Sequence, residues 1–331
     1  MREDGRPKVS RLKKTARWMA GTLAVLIGGV AVAVIAREDR KFDAPPVAAH
    51  VSRDPQVIAR GHYLAFGPAH CVECHGAPDR RGELGGGQAI PLSGGQQLKL
   101  PVGVFRPGNI TPDAQTGIRR YSDADIARML RYGIRPDGRA VLPFMAFGDM
   151  AQDDLDAIIS FLRAQEPVRH EVAPSAPNAL GRVVKAFLIS PKGPTRPVRP
   201  SVPPSPTAEY GDYLTHSVAN CVGCHTKVDL RTGAATGAPF AGGTKIEGFV
   251  TPNLTPDPRW GWIASWPEEV FVARMHMGRQ RAGSPMPWDG FRSMSDDDLR
   301  AIFRYLRTVP PAPGGPDPSR PETVMVATSE R

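Results

Sequence analysis

The four cysteines of this 331-residue chain fall into two frames of one form, Cys71-Val-Glu-Cys74-His75 and Cys221-Val-Gly-Cys224-His225, 150 positions apart. No cysteine stands outside them. Any fold for this chain must therefore present the same pair of thiols and the same following histidine twice.

The frames are the centres of a longer internal repeat. The first copy reads "GHYL" from Gly61, "CVECH" from Cys71, "NITPD" from Asn109, "ARM" from Ala127 and "DDLDAIISFLR" from Asp153. The second reads "GDYL" from Gly211, "CVGCH" from Cys221, "NLTPD" from Asn253, "ARM" from Ala273 and "DDLRAIFRYLR" from Asp297. Order is kept and the offset stays between 144 and 150 residues. This is a tandem duplication of one domain, expected over 48–168 and 207–312, and not a solenoid.

Each copy reads as helical. Ser122, with Asp125 three residues on, predicts an acidic capping box for a helix that Gly133 stops. Ser265 and Glu268 predict the equivalent start in the second copy, closed by Gly278. Leu155, Ile158, Ile159 and Leu162, then Leu299, Ile302, Phe303 and Leu306, recur at helical spacing in the last segments. Long strand-like alternation is missing, so the class expected is all-α. The Gly/Pro-rich stretches 76–120 and 227–265 read as loops that something must hold. Between the copies, 169–206 is a proline-rich, semi-rigid linker whose "GRVVKAFLIS" forms a short helix against one domain. The Pro/Gly-rich segment 313–331 is expected to be a flexible tail.

Cys-x-x-Cys suits a dithiol couple, half of a zinc site or a haem attachment site. A structural zinc wants four ligands, and sharing one metal would fuse two complete units around it. A dithiol couple sits in a βαβ setting, which helical copies lack. Haem attachment uses every element of the frame. Thiols three apart on a first helical turn each form a thioether to one vinyl group, and the next histidine turns its imidazole to the iron. A covalent cofactor also stabilises small helical domains with long loops and a thin core. Two covalently bound haem c groups are therefore expected, on Cys71, Cys74 and His75 and on Cys221, Cys224 and His225.

The amino-terminal segment fixes the compartment. Trp18 to Ala36 is 19 residues without a charge, about the length that crosses a hydrocarbon core. Residues 1–17 hold seven basic against two acidic side chains, more than half of the net charge of +9. That places 1–17 as a cytoplasmic leader, 18–36 as a membrane anchor, and the rest in a periplasm-like space. A cleaved secretory signal is the rival reading. Its apolar run would be longer than usual, and both readings export the two copies. With the charge gathered in the leader, no basic stripe interleaved with aromatics remains, which speaks against nucleic-acid binding.

Over roughly residues 50 to 312 these motifs resemble membrane-anchored dihaem c-type cytochromes, tandem class I cytochrome c domains akin to cytochrome subunits or partners of periplasmic dehydrogenases. The family's "GxYL" and terminal "LxAIxxYLR" helices stand here as "GHYL", "LDAIISFLR", "GDYL" and "LRAIFRYLR". The resemblance implies a single-pass membrane protein with periplasmic domains, a dehydrogenase or other periplasmic donor, and a downstream cytochrome or oxidase. Many dehydrogenase cytochrome subunits carry three haems, whereas this chain has two frames. In the family a methionine from the loop before the last helix closes the iron. Met286, in "SPMPWDGF", and Met145, in "LPFMAFGDM", are the candidates. Met150 and Met294 align without a gap, but each stands five residues before Leu155 or Leu299, the spacing of a hydrophobic staple. His276 is the rival ligand for the second iron. His62, His70, His170 and His216 have no matched partners between copies. Asn109 and Asn253 suit either a haem propionate or an Asx-type turn. Two six-coordinate haems make an electron carrier; the alternative is a dihaem enzyme of peroxidase or thiosulfate-oxidising type with one iron that opens.

Overall fold

The structure is a computed structural model that describes residues 8–80, 83, 90–142, 145, 147–229 and 234–319. It begins with one long helix, α1 (Lys8–Arg37), whose apolar side chains from Trp18 to Ile35 are mostly exposed. Among the described residues this is the one helix long and apolar enough to cross a membrane.

The first copy follows as α2 (Pro55–Phe66), the one-turn α3 (Cys71–His75), β1 (Leu98–Leu100), β2 (Gly103–Phe105), α4 (Asp123–Tyr132) and α5 (Gln152–Ala164). Next come β3 (Ala176–Pro177) and α6 (Ala179–Phe187). The second copy holds α7 (Ala208–Tyr213), α8 (Cys221–His225), β4 (Lys245–Ile246), β5 (Phe249–Val250), α9 (Glu268–His276), α10 (Trp288–Phe291) and α11 (Asp296–Leu306). The protein is thus mostly helical, but not purely so. An antiparallel β1-β2-β3 sheet and a β4-β5 pair stiffen the two Gly/Pro-rich stretches.

Each copy is built on a crossing of its first and last helices. Gly61 of α2 lies so close to α5 that a Cβ would sit 1.8 Å from the Ala157 carbonyl oxygen. Gly211 of α7 meets the Ala301 carbonyl of α11 in the same way, at 2.0 Å. The glycine of "GxYL" is therefore what lets two helix backbones touch. Below the crossing lie Leu64, Leu155, Ile158 and Ile159 in one copy and Leu214, Leu299, Ala301 and Ile302 in the other, all nearly inaccessible.

The caps explain where the helices begin. Ser122 and Asp125 make the expected reciprocal box, and Gly133 ends α4 at φ +66°. Ser295 caps α11 through the Asp298 N–H. Ser265 does not cap α9: the helix starts after Pro267, which supplies no side-chain acceptor.

The segment between the copies is less free than its composition suggests. β3 extends the sheet, and α6 packs on the end of α1. The carbonyls of Arg199 and Pro200 accept from the first N–H groups of α5, at Gln152 (2.9 Å) and Asp153 (3.0 Å), so the linker completes a helix end. The first part of the segment expected as a flexible tail from 313 makes defined contacts. Asn253 donates to Gly314 O, and the Trp262 indole N–H reaches Pro316 O at 2.9 Å. Residues 320–331 lie outside the described residues.

The copies are joined by an exchange of tyrosines. The Tyr213 hydroxyl donates to Asp154 (2.7 Å) and accepts from the Ala151 N–H (3.1 Å) at the start of α5. Tyr63, its counterpart, donates to Asp298 (2.6 Å) and accepts from the Ser295 N–H (3.0 Å) at the start of α11. Each copy thus caps the last helix of the other. Beside this exchange Arg60 pairs with Asp154 and donates to the Tyr210 hydroxyl at 2.9 Å.

Candidate functional site

Each cysteine frame starts at a residue in the left-handed region, His70 at φ +41° and Asn220 at φ +48°. Among side chains, Asn and His tolerate that conformation better than most. The sharp turn opens a single helical turn, so the two thiols of each frame share one face. None of the four is in a disulfide. Burial pushes the Cys71 and Cys221 thiols up to about 12, opposite to the lowered value of a working dithiol couple.

The histidines are held alike. His75 Nδ1 lies 2.8 Å from the Gly108 carbonyl and His225 Nδ1 lies 2.9 Å from the Pro252 carbonyl. A carbonyl only accepts, so each Nδ1 carries the proton and each Nε2 carries the lone pair. Burial pushes both imidazoles below their ordinary value, which favours this neutral form. A glycine locks each arrangement. Gly94 and Gly242, at φ +72° and +68°, donate to the carbonyls of His75 and His225 at 2.7 Å. A Cβ on Gly94 would meet Gly108, and one on Gly242 would meet Pro252, the same residues that accept from the imidazoles.

Among the apolar side chains packed on the core but only partly covered are Cys71, Ile110, Tyr121 and Met145 in the first copy, and Cys221, Leu254, Trp266 and Met286 in the second. Two thiols on one face and an imidazole with a directed lone pair are a donor set that suits a covalently attached iron porphyrin, and Met145 and Met286 are half-buried thioethers. By contrast Met150 and Met294 are 0% and 2% exposed. They stand at the residue before each N-cap, where a hydrophobic staple to Leu155 and Leu299 belongs.

The loops that carry Met145 and Met286 are tied down differently. Arg131, 3% exposed on α4, donates to the carbonyls of Gly148 (2.8 Å) and Met150 and reaches Gln152 Oε1 at 3.3 Å. In the second copy His276 does this work. Its Nδ1 lies 2.8 Å from Arg292 O and its Nε2 lies 2.9 Å from Asp296 Oδ1. Both ring nitrogens of the rival ligand are thus engaged in fastening the loop to α11.

The remaining candidates take structural partners. Asn109 Oδ1 accepts from the N–H and hydroxyl of Thr111, and its amide donates to Val168 O and Thr116. Asn253 repeats the turn with Thr255 and Ala312 O. This is the Asx-type turn, with the side-chain amide spent on it. His62 stacks on Phe66, His70 Nδ1 faces Pro68 O, His170 Nδ1 faces Ser93 O and His216 faces Asp212.

Two features escaped the sequence reading. Glu73, between the cysteines of the first frame, accepts the N–H groups of Asp289 (2.9 Å) and Gly290 (3.1 Å) of α10, just after Met286. The second frame has Gly223 there, where a Cβ would strike Asn220. The departure between "CVECH" and "CVGCH" was the available signal. The tyrosine exchange was also signalled, by the tyrosine of "GxYL" and the aspartate of "DDL" recurring together.

No family model matches the chain. It is 31% identical over 315 residues to a dihaem cytochrome c-type protein of Cereibacter sphaeroides, covering 88% of this chain and 97% of that one. It is 31% identical over 297 residues to the cytochrome c subunit of the quinone alcohol dehydrogenase of Gluconobacter oxydans, covering 81% of this chain and 58% of that subunit. The fructose dehydrogenase cytochrome subunit of Gluconobacter japonicus is 28% identical over 268 residues, with 76% and 52% covered. The chain thus spans little more than half the length of these two dehydrogenase subunits.

Proposed function

The chain belongs to the dihaem c-type cytochromes, and from that premise we propose that it is a membrane-anchored carrier taking electrons from a periplasmic dehydrogenase and passing them to a downstream cytochrome or oxidase. Residues 48–168 and 207–312 are then two class I cytochrome c domains, and α1 is the anchor. Cys71 and Cys74 hold one haem c by thioethers and Cys221 and Cys224 the other; His75 and His225 are the proximal ligands, and Met145 and Met286 the distal ones. Bound there, the haem supplies one-electron chemistry at iron.

The observation that supports this reading most is the matched pair of imidazoles. The hydrogen bonds from His75 to Gly108 O and from His225 to Pro252 O fix the tautomer, aim Nε2 and raise its basicity. The half-buried thioethers of Met145 and Met286 would serve as the second ligands, because a methionine–histidine pair would raise the potential and leave no open position. Arg131 and His276 fasten the loops that carry these methionines.

The test is carbon monoxide added to the reduced protein at neutral pH. The unaltered chain is expected not to bind it, and Met145→Leu and Met286→Leu are each expected to expose one haem. Rapid binding by the unaltered chain would sink the carrier reading and favour a dihaem enzyme. Binding after Met150→Leu and not after Met145→Leu would reassign the first distal ligand.

A further inference from the structure

Helix α6 stands apart from the haem-frame chemistry. Its sequence, "ALGRVVKAF", places Leu180, Val184 and Phe187 on one face, and Leu188 extends that stripe. Leu180 (57% exposed), Phe187 (44%) and Leu188 (56%) are left open on the surface. A folded chain rarely gathers large exposed apolar side chains without a partner for them.

The position of α6 says what that partner is. Arg37 is the last residue of α1 and the first charge after its apolar run, so in a membrane it marks the headgroup level. Arg37 reaches the Ala186 carbonyl at 3.5 Å, and its guanidinium lies 5.2 Å from the Phe187 ring centroid. One step along, Glu38 pairs with Arg182 through two bonds of 2.7 and 2.8 Å, and Asp39 takes Lys185 at 3.3 Å. Four consecutive points of contact therefore clamp α6 at the depth where α1 leaves the hydrocarbon.

We infer that α6 is an interfacial helix: Leu180, Phe187 and Leu188 seat in the headgroup–acyl boundary of the bilayer that α1 crosses. The inference rests on the reading of α1 as a retained anchor. An amphipathic helix lies in that layer with its apolar face buried. The two basic side chains on α6, Arg182 and Lys185, are already paired within the chain, so the seat depends on apolar contact and little on anionic lipid. Held at both α1 and α6, the first copy gains a fixed height above the membrane instead of swinging on a single tether.

The test uses the full chain, its intact mass showing that α1 is present, in vesicles of phosphatidylethanolamine and phosphatidylglycerol. With the native thiols bound to haem, Leu188→Cys offers a site for an environment-sensitive fluorophore, and Val270→Cys on α9, itself 46% exposed, is the aqueous reference. The label at 188 is expected to be quenched by a lipid-borne quencher and protected from iodide, at least severalfold relative to 270. That pattern should persist when phosphatidylglycerol is replaced by phosphatidylcholine. Equal iodide quenching at 188 and 270 would overturn the inference while leaving the anchor intact. Protection from both quenchers would also overturn it, because a protein would then cover the stripe. Failure of α1 itself is read separately, as extraction of the chain from the vesicles by alkaline carbonate.

Discussion

Two equivalent carboxylates have unequal surroundings. Asp154 faces the guanidinium of Arg60, whereas Asp298 has the Tyr63 hydroxyl and the Ser295 cap. Burial pushes the Asp298 carboxyl above its ordinary value, against the pull of its hydrogen bonds and of Arg60. The native state then holds a proton where the unfolded chain has lost it. Stability is greatest below the ordinary carboxylate value and declines as pH rises through the raised one. Asp298→Asn keeps an acceptor for Tyr63 and removes the buried charge. Thermal melts from pH 4 to 8 should show the variant more stable at neutral pH, on the order of 1 kcal/mol, with a flatter profile. An unchanged profile would mean that Asp298 titrates normally. The two cysteine–histidine frames stand out in the sequence because their spacing is chemical, whereas Met145 and Met286 are candidates only through the resemblance. The difference between Asp154 and Asp298 does not stand out, since it depends on a residue 94 positions away in one case.

At the level of elements, the crossings of α2 with α5 and of α7 with α11 depend on single glycines. A methyl group on Gly61 or Gly211 meets a backbone carbonyl, which no rotamer change relieves. Gly61→Ala and Gly211→Ala should each cost about 1–3 kcal/mol or more, the price of overpacking, read as lowered melting temperature and reduced haem incorporation. Gly28→Ala in α1, where nothing lies within 4 Å, is the control and should be neutral. Helix existence, the Ser122 and Ser295 caps and the closing Gly133 could be read from periodicity and capping chemistry. The start of α9 could not, because Ser265 fits a capping box while proline at 267 already sets the entry angle. The short strands were missed for a similar reason. Two or three residues show no alternation, and their pairing is fixed by the turn at Gly103 and by distant Ala176.

Across the whole molecule, the buried apolar residues of both copies form one continuous cluster, and the tyrosine exchange lies over it. The two copies should therefore unfold together. Calorimetry of the unaltered chain is expected to give one transition with equal calorimetric and van't Hoff enthalpies, and Tyr63→Phe with Tyr213→Phe to split it. Each substitution takes a phenol donor from a buried carboxylate, Asp298 in one case and in the other Asp154, which keeps Arg60, and leaves a helix-end N–H without its acceptor, at about 1–3 kcal/mol. Two transitions in the unaltered chain would show that the copies fold independently. Duplication itself was plain in the sequence; how the copies face each other was not, since repeats alone do not specify which surfaces meet. The exchange has the form of a two-fold axis within one chain. Contacts that survive swapping every residue for its counterpart are those of an isologous homodimer. Because both copies lie on one chain, their encounter is intramolecular and does not depend on protein concentration. Residue 60 touches 210, its own counterpart, as positions near a two-fold axis do. Two arginines there would repel, and the arginine–tyrosine pair replaces that repulsion with a hydrogen bond.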